Sequence, residues 1–274
     1  MGDRPLKRRS SRPARAGAGA DDRSADRYLV ACASAAGKAH IDAHKNNQDA
    51  AAFCARGDGV DGPDIVALCV SDGCGSLVAS EVGAQLTARR AVYSAVEWAE
   101  AHPYSLPSEA MEFVLDDVVA MLQRVAIAVG GANRADDVVA DALLATMLVT
   151  LVTPRGAAVF GVGDGVIAKD DDVRIERAGA AGPSYPAFRA RALGPNPEVK
   201  LFFVAGADDW STLTLATDGA EALFAKGATP SSLLTSAART TTSALRWELE
   251  AKVQSAADRS LDDVTVAMIA RRAK

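Results

Sequence analysis

Four aspartates stand at the ends of apolar runs. Ile65 to Val70 stops at Ser71-Asp72-Gly73, and Ser211 to Thr217 stops at Asp218-Gly219. Two other runs do the reverse: Asn47-Gln48-Asp49 opens Ala50 to Ala55, and Asp262-Asp263 opens Val264 to Ala270. An apolar run of this length closed by a glycine turn reads as a buried strand. In an antiparallel sheet the end of one strand lies beside the beginning of the next, so the pattern predicts Asp49, Asp72, Asp218 and Asp262 on one edge. Carboxylates crowded in this way cannot all ionise unless a cation offsets their repulsion. An oxygen-only ligand set suits hard, octahedral ions, so these residues predict a site for two Mg²⁺ or Mn²⁺ ions.

The elements that must carry these side chains follow from the hydrophobic period. Tyr28 to Ser34 reads as a first strand, followed by a polar loop from Gly37 to Gln48. Strands at about 49–55 and 64–70 are then joined across Gly57-Asp58-Gly59 and Asp61-Gly62-Pro63, which suits a hairpin. After Gly75 the period changes to that of a helix, with Ser76 as N-cap and a stripe of Leu77, Val78, Val82, Leu86, Val92 and Val96. Pro103 and Pro107 break this helix near Ala101. A second runs from Ser108 through Met111, Val114, Leu115, Val118, Leu122, Val125 and Val129, and Gly130-Gly131 ends it.

Ala142–Thr153, Ala157–Val162 and Val166–Lys169 then read as a meander, with Asp164-Gly165 as a hairpin turn. Gly161-Val-Gly163-Asp164-Gly165 is no pyrophosphate loop, because no helix follows it, and no P-loop motif occurs in the chain. Residues 170–199 read as an exposed excursion. Strands Leu201–Val204 and Leu213–Thr217, a turn at Ala220–Phe224, a helix from Pro230 carrying Leu233, Leu234, Ala237, Leu245 and Leu249, and a strand Val264–Ala270 complete the order. Strands, two helices, strands, helix, strand, with tight turns, predict an α+β fold of antiparallel sheets with segregated helices.

Composition sets bounds. The 274 residues are 49% hydrophobic and 24% charged, enough for one sizeable core. A net charge of -5 argues against nucleic acid as a partner. Ala142 to Val152 is the longest apolar window, with two threonines, and is too short to span a bilayer. Arg8-Arg9 lacks the apolar segment of an export signal. Residues 1–27 hold eight Lys/Arg and four Asp without apolar periodicity, and are expected to be a disordered basic tail ahead of a domain at 28–271. Cys32, Cys54, Cys69 and Cys74 show no C-x-x-C pairing and are expected as reduced thiols in a cytoplasmic protein. Cys74 is not followed by the arginine of a C-x₅-R loop, since Ser80 stands there.

Read together, Asn47-Gln48-Asp49, Val70-Ser-Asp72-Gly73-x-Gly75-Ser76, Ala145-Thr146, Gly161-Val-Gly163-Asp164-Gly165, Ala216-Thr-Asp218-Gly219 and Asp262-Asp263-Val-Thr265 stand in the order found in the metal-dependent, type 2C serine/threonine phosphatases. The chain resembles this family over roughly 28–270, most of all its bacterial subgroup, in which a histidine, here His40, precedes the Gln-Asp pair by eight residues. The resemblance implies an αββα sandwich: two packed antiparallel sheets flanked by helices. It further implies that Asp49, Asp72, the Gly73 carbonyl, Asp218 and Asp262 hold two core Mg²⁺ or Mn²⁺ ions, with Asp141 at the place of a third.

The implied reaction is hydrolysis of phosphoserine or phosphothreonine on a phosphoprotein by a water that bridges two ions about 4 Å apart. Such an enzyme works opposite a cognate Ser/Thr kinase, as a monomer without membrane attachment. Several departures from the pattern stand out. Gln48 replaces a glutamate, Cys74 replaces a histidine, and the phosphate-clamping arginine is replaced by His44 with Lys45 beside it, so His44, Lys45 and His40 are the candidates for the phosphate. Ala222 stands where some relatives add an acidic ligand, with Glu221 next to it. Asp164 and Asp141 each also suit a turn role, and His40 a structural one. These departures leave open a phosphatase-like adaptor that binds a phosphorylated partner without turnover, and a small phosphate ester as substrate.

Overall fold

The computed structural model describes residues 27–57, 64–180, 182–191, 193–194, 196–235 and 240–272. The expected basic tail, the hairpin turn at 58–63 and the stretch around Ala237 therefore lie outside the described residues, save Arg27 and Gly57.

Ten strands form two five-stranded sheets among these residues. They are β1 (Tyr28–Ala35), β2 (Ala50–Arg56), β3 (Ile65–Ser71), β4 (Met147–Thr153), β5 (Gly156–Val162), β6 (Gly165–Lys169), β7 (Asp172–Glu176), β8 (Lys200–Ala205), β9 (Thr212–Ala216) and β10 (Val264–Arg271). One sheet runs β1-β10-β9-β6-β7 and the other β2-β3-β4-β5-β8, with every pairing antiparallel. The helices are α1 (Lys38–Asp42), α2 (Ser80–Ala101), α3 (Met111–Val138), α4 (Pro186–Arg191), α5 (Pro230–Leu233) and α6 (Thr242–Ala257).

Strand alternation sorts the apolar residues into three layers. Leu68, Val70, Leu148, Val159, Ile167, Leu215 and Ile269 meet between the sheets. Cys69, Met147, Val149 and Phe160 face α2 and α3 on one outer side. Val264, Val266 and Met268 face Leu245, Leu249 and Val253 of α6 on the other. This is the expected αββα sandwich.

Several local expectations are corrected. The loop after β1 contains the helical turn α1. Ser76 is no N-cap: α2 begins at Ser80, because residues 74–79 spend their backbone on the site edge, where Cys74 N–H donates to Leu144 and Gln48 Nε2 donates to the Leu77 carbonyl. The buried stripe of α2 is mainly alanine, namely Ala84, Ala88, Ala91, Ala95 and Ala99 with Val92 and Val96, while Val78 is 87% exposed. Small side chains let the helix lie close to the sheet, so size governs here as much as hydropathy.

As expected, the regular helix that opens α3 stops at Gly130-Gly131, where Gly131 is non-helical (φ 65°, ψ 179°); a second helical segment then runs to Val138 and closes in a π-turn, Val139–Leu143. The strand expected from Ala142 consequently starts at Met147. Residues 170–199 are no free excursion, since β7 extends the sheet edge and α4 packs on α3, with Ala187 buried and Arg189 paired to Glu112 and Asp116. The single C-terminal helix is two, α5 and α6.

The most consequential correction is at 161–165. The turn read as a hairpin is a crossover, since β5 belongs to one sheet and β6 to the other. Gly163 and Gly165 take φ of 104° and 137°, values closed to most side chains, and a Cβ on Gly163 would stand 2.6 Å from Thr146 Cγ2. The change of sheet carries Asp164 to the carboxylate edge.

Candidate metal centre

Register explains why distant aspartates meet. Ala50 pairs with Ser71, so Asp49 and Asp72 leave their strands at the same rung. Val266 pairs with Ala216, which puts the 262–263 and 217–218 segments at the matching edge of the other sheet. Thr146 anchors the first edge, its N–H donating to the Asp72 carbonyl (2.8 Å) and its hydroxyl accepting from Asp72 N–H (2.9 Å).

The carboxylates form one electrostatic cluster. Burial pushes the Asp72 carboxyl well above its ordinary range, and the charges of Asp49, Asp218 and Asp262 add to the shift. Asp49, 7% exposed, is raised to about 7 by burial, with Asp263 and Asp262 contributing and the Thr217 hydroxyl opposing. Asp262, at the open rim, is raised by partial burial and then by Asp218. Among the described residues no three His, Cys, Asp or Glu side chains stand in a ready-made ligand arrangement. The edge is thus a set of mutually repelling oxygens that a divalent cation would relieve, and the donor set is one that hard cations prefer.

Asp164 joins this cluster. Its carboxyl is raised to about 6 by burial and by Asp218, and its Oδ1 is buried without a hydrogen-bond partner. Local turn chemistry made it look like a hairpin residue, and only the change of sheet reveals its place. Asp141 is exposed on the π-turn, its carbonyl taken by Ala79 N–H, and it is not among the charges that dominate Asp49, Asp72 or Asp262. Glu221 pairs with Arg177 at 2.9 Å, and Ala222 is exposed.

The expected phosphate-side residues separate. His40 is buried, with Nδ1 2.8 Å from Asp263 Oδ2 but off the hydrogen-bond direction, so its ring packs against a core carboxylate. His44 is exposed, in a left-handed backbone conformation (φ 54°). Lys45 is exposed too, and its Nζ donates to the Gly75 carbonyl (2.9 Å), next to the Asp72-Gly73 turn. Gln48 is 1% exposed, and its Oε1 is a second buried acceptor without a partner. Tyr185, from the segment read as an excursion, lies over this edge: burial and a hydrogen bond with Cys74 raise its phenol, with Asp72 and Asp164 acting in the same sense. All four cysteines are free thiols, and burial pushes Cys32 up to about 12.

Thr217 supports the centre from behind. Its hydroxyl donates to Asp49 Oδ2 (2.8 Å) and accepts from Thr265 N–H (3.1 Å), fixing one carboxylate and joining β9 to β10. Thr217→Val keeps the shape and removes both bonds. The expected result is a loss of Mn²⁺ affinity of about 10-fold or more in a calorimetric titration, typical of removing a hydrogen bond behind a ligand.

The comparisons with known proteins agree with this architecture. The protein phosphatase 2C family profile matches residues 36–263. Among solved structures, a bacterial serine phosphatase aligns with a TM-score of 0.54 at 14% identity, covering 89% of this chain and 98% of that one. The serine/threonine phosphatase Stp1 from Staphylococcus aureus aligns at 0.52 with 15% identity, over 89% and 95%. The catalytic domain of the serine threonine protein phosphatase PstP, in complex with two manganese ions, aligns at 0.50 with 14% identity, over 89% and 97%. At these identities the likeness is one of fold. No curated protein matches the sequence. The family profile spans all four strand-end aspartates and most of the sequence: the chain belongs to the protein phosphatase 2C family.

Proposed function

We propose that this chain hydrolyses phosphoserine and phosphothreonine on proteins, with residues 28–271 as its catalytic unit and two Mg²⁺ or Mn²⁺ ions as cofactors. Asp49, Asp72, Asp218, Asp262 and the Gly73 carbonyl are the proposed ligands of the two core ions, Asp141 is the proposed ligand of a third, and Asp164 lies within the field of Asp218. When bound, such ions supply positive charge for the phosphoryl oxygens and a water acidified toward neutral pH. The chain's own part is to hold the carboxylates in place. Thr217 fixes Asp49, Thr146 fixes the Asp72 backbone, and the orphaned Gln48 Oε1 offers an acceptor that orients a water. Lys45 brings a positive charge to the Gly75 loop, where an incoming phosphoryl group would pass.

The single observation that carries this reading is the gathering of Asp49, Asp72 and Asp262 at one edge beside Asp218, where burial and their neighbours' charges raise the carboxyls of Asp49, Asp72 and Asp262. The test is a Mn²⁺-titrated assay on a phosphothreonine peptide. Turnover is expected to rise with Mn²⁺ and to vanish in EDTA. Undiminished turnover in chelated protein overturns the reading, and saturable peptide binding with no turnover at any Mn²⁺ concentration turns it toward an adaptor.

A further inference from the structure

Two adjoining hollows flank the carboxylate cluster along α2. The larger, about 320 Å³, is bounded by Ser34, Asn47, Asp49, Gln85 and Arg89 among others. The smaller, about 170 Å³, is bounded by Glu81, Val82 and Leu86 and by the same Gln85 and Arg89. Because they share these two residues, they make one groove that starts at Asp49 and follows a face of α2. Gln85 and Arg89 are one helical turn apart, so their side chains stand side by side.

The floor of the groove is polar and fixed. Asn47 Nδ2 donates to Ser34 Oγ (2.7 Å), Asn47 Oδ1 accepts from Asp49 N–H (3.0 Å), and Ser34 Oγ bonds Thr265 Oγ1 (2.6 Å). The far end is mixed, with Val82, 42% exposed, and Leu86 beside Glu81. Between them stands an uncommitted cation. Arg90, its neighbour, is taken by Asp117 and Glu97, and Glu81 accepts from Asn46 (2.8 Å). Arg89 itself is exposed and has no ion pair or hydrogen bond among the described residues.

A phosphoryl group at the carboxylate edge would occupy only the Asp49 end of this groove. The remainder, a fixed polar floor and a free guanidinium with Val82 and Leu86 beyond it, matches a stretch of extended chain with an acidic side chain at Arg89. We propose that the groove reads the residues flanking the phosphorylated side chain, and that Arg89 selects substrates carrying an acidic residue there. This inference rests on the phosphatase reading and adds the substrate class to it.

The test compares kcat and KM on three phosphothreonine peptides that carry Glu, Ala or Lys at the flanking positions. The wild type is expected to prefer the Glu peptide through KM, by about 3-fold over Ala, the scale of one exposed charge pair. Arg89→Gln is expected to collapse that preference, and Arg89→Glu to shift it toward the Lys peptide, an inversion that a merely structural role would not produce. A wild type without the preference, or an Arg89→Gln variant that retains it, overturns the inference and leaves the phosphatase reading intact. If no peptide is turned over with Mn²⁺ present, that reading fails by itself. Fluorescence anisotropy with the same labelled peptides then decides the groove: weaker binding of the Glu peptide to Arg89→Gln supports it, and equal binding overturns it.

Discussion

Asp72→Asn is expected to cut turnover by at least about 100-fold and, with divalent cations chelated, to raise the thermal unfolding midpoint by about 5 °C. The two effects have one cause. Asp72 is held in the cluster against burial and against the charges of Asp49, Asp218 and Asp262, so without a cation its ionised form opposes folding. The amide of Asn has nearly the same shape, keeps a donor toward Asp49 and carries no charge. It relieves the repulsion and removes a ligand in the same step.

The pH dependence has a definite sign. The Asp49 carboxyl rises from 3.8 in the unfolded chain to about 7 in the fold, so the folded state holds its proton more tightly. Below about pH 4 both states are protonated and this contribution to stability is fully present. It is lost as pH rises toward about 7, because the unfolded chain ionises first and the fold is left to ionise a crowded group. Chelated wild-type protein should therefore melt lower at pH 8 than at pH 5, with the difference reduced by Mn²⁺ and smaller in Asp72→Asn. A variant with wild-type turnover, or one that melts below the wild type when chelated, contradicts this account.

The strand-end aspartates were legible because two independent signals coincide on them: an apolar run of strand length, and a carboxylate where that run meets a turn. The antiparallel rule then gathers them whatever their separation along the chain. Asp164 was not legible by the same logic. Its Asp-Gly turn is equally good chemistry for a hairpin within one sheet and for a crossing between two, and only the register of β6 with β9 separates them. Tyr185 was hidden for a related reason, since the short segment around it has no periodicity of its own and is placed by contacts of α4 with α3. The alanine face of α2 escaped a reading that weighs large apolar residues, because close approach to a sheet selects small ones.

The adjacent pair Asp262-Asp263 shows how far neighbouring residues of one type can diverge, and it carries the second large prediction. Asp262 faces the rim and the charge of Asp218. Asp263 turns inward, 1% exposed, where Oδ1 accepts from Gly37 N–H (2.8 Å), Oδ2 accepts from Gln48 N–H (2.6 Å), and His40 Nδ1 lies 2.8 Å from Oδ2. One carboxylate thereby ties the entry to α1, the residue before Asp49 and the start of β10, which are the segments that present the ligands. Asp263→Ala orphans two buried N–H groups and a buried histidine at once, a loss of about 3–5 kcal/mol, or a fall in melting midpoint of about 10 °C. Turnover falls with it, because Asp49 and Asp262 lose their common anchor. Asp262→Ala is expected to lose turnover while melting, when chelated, at or above the wild-type temperature. The two alanine variants, measured side by side by calorimetry and by peptide turnover, should separate on stability and coincide on lost activity. If Asp263→Ala melts with the wild type, the inward carboxylate is not the anchor described. If Asp262→Ala is the one that unfolds early, the rim aspartate serves the fold and not the cation.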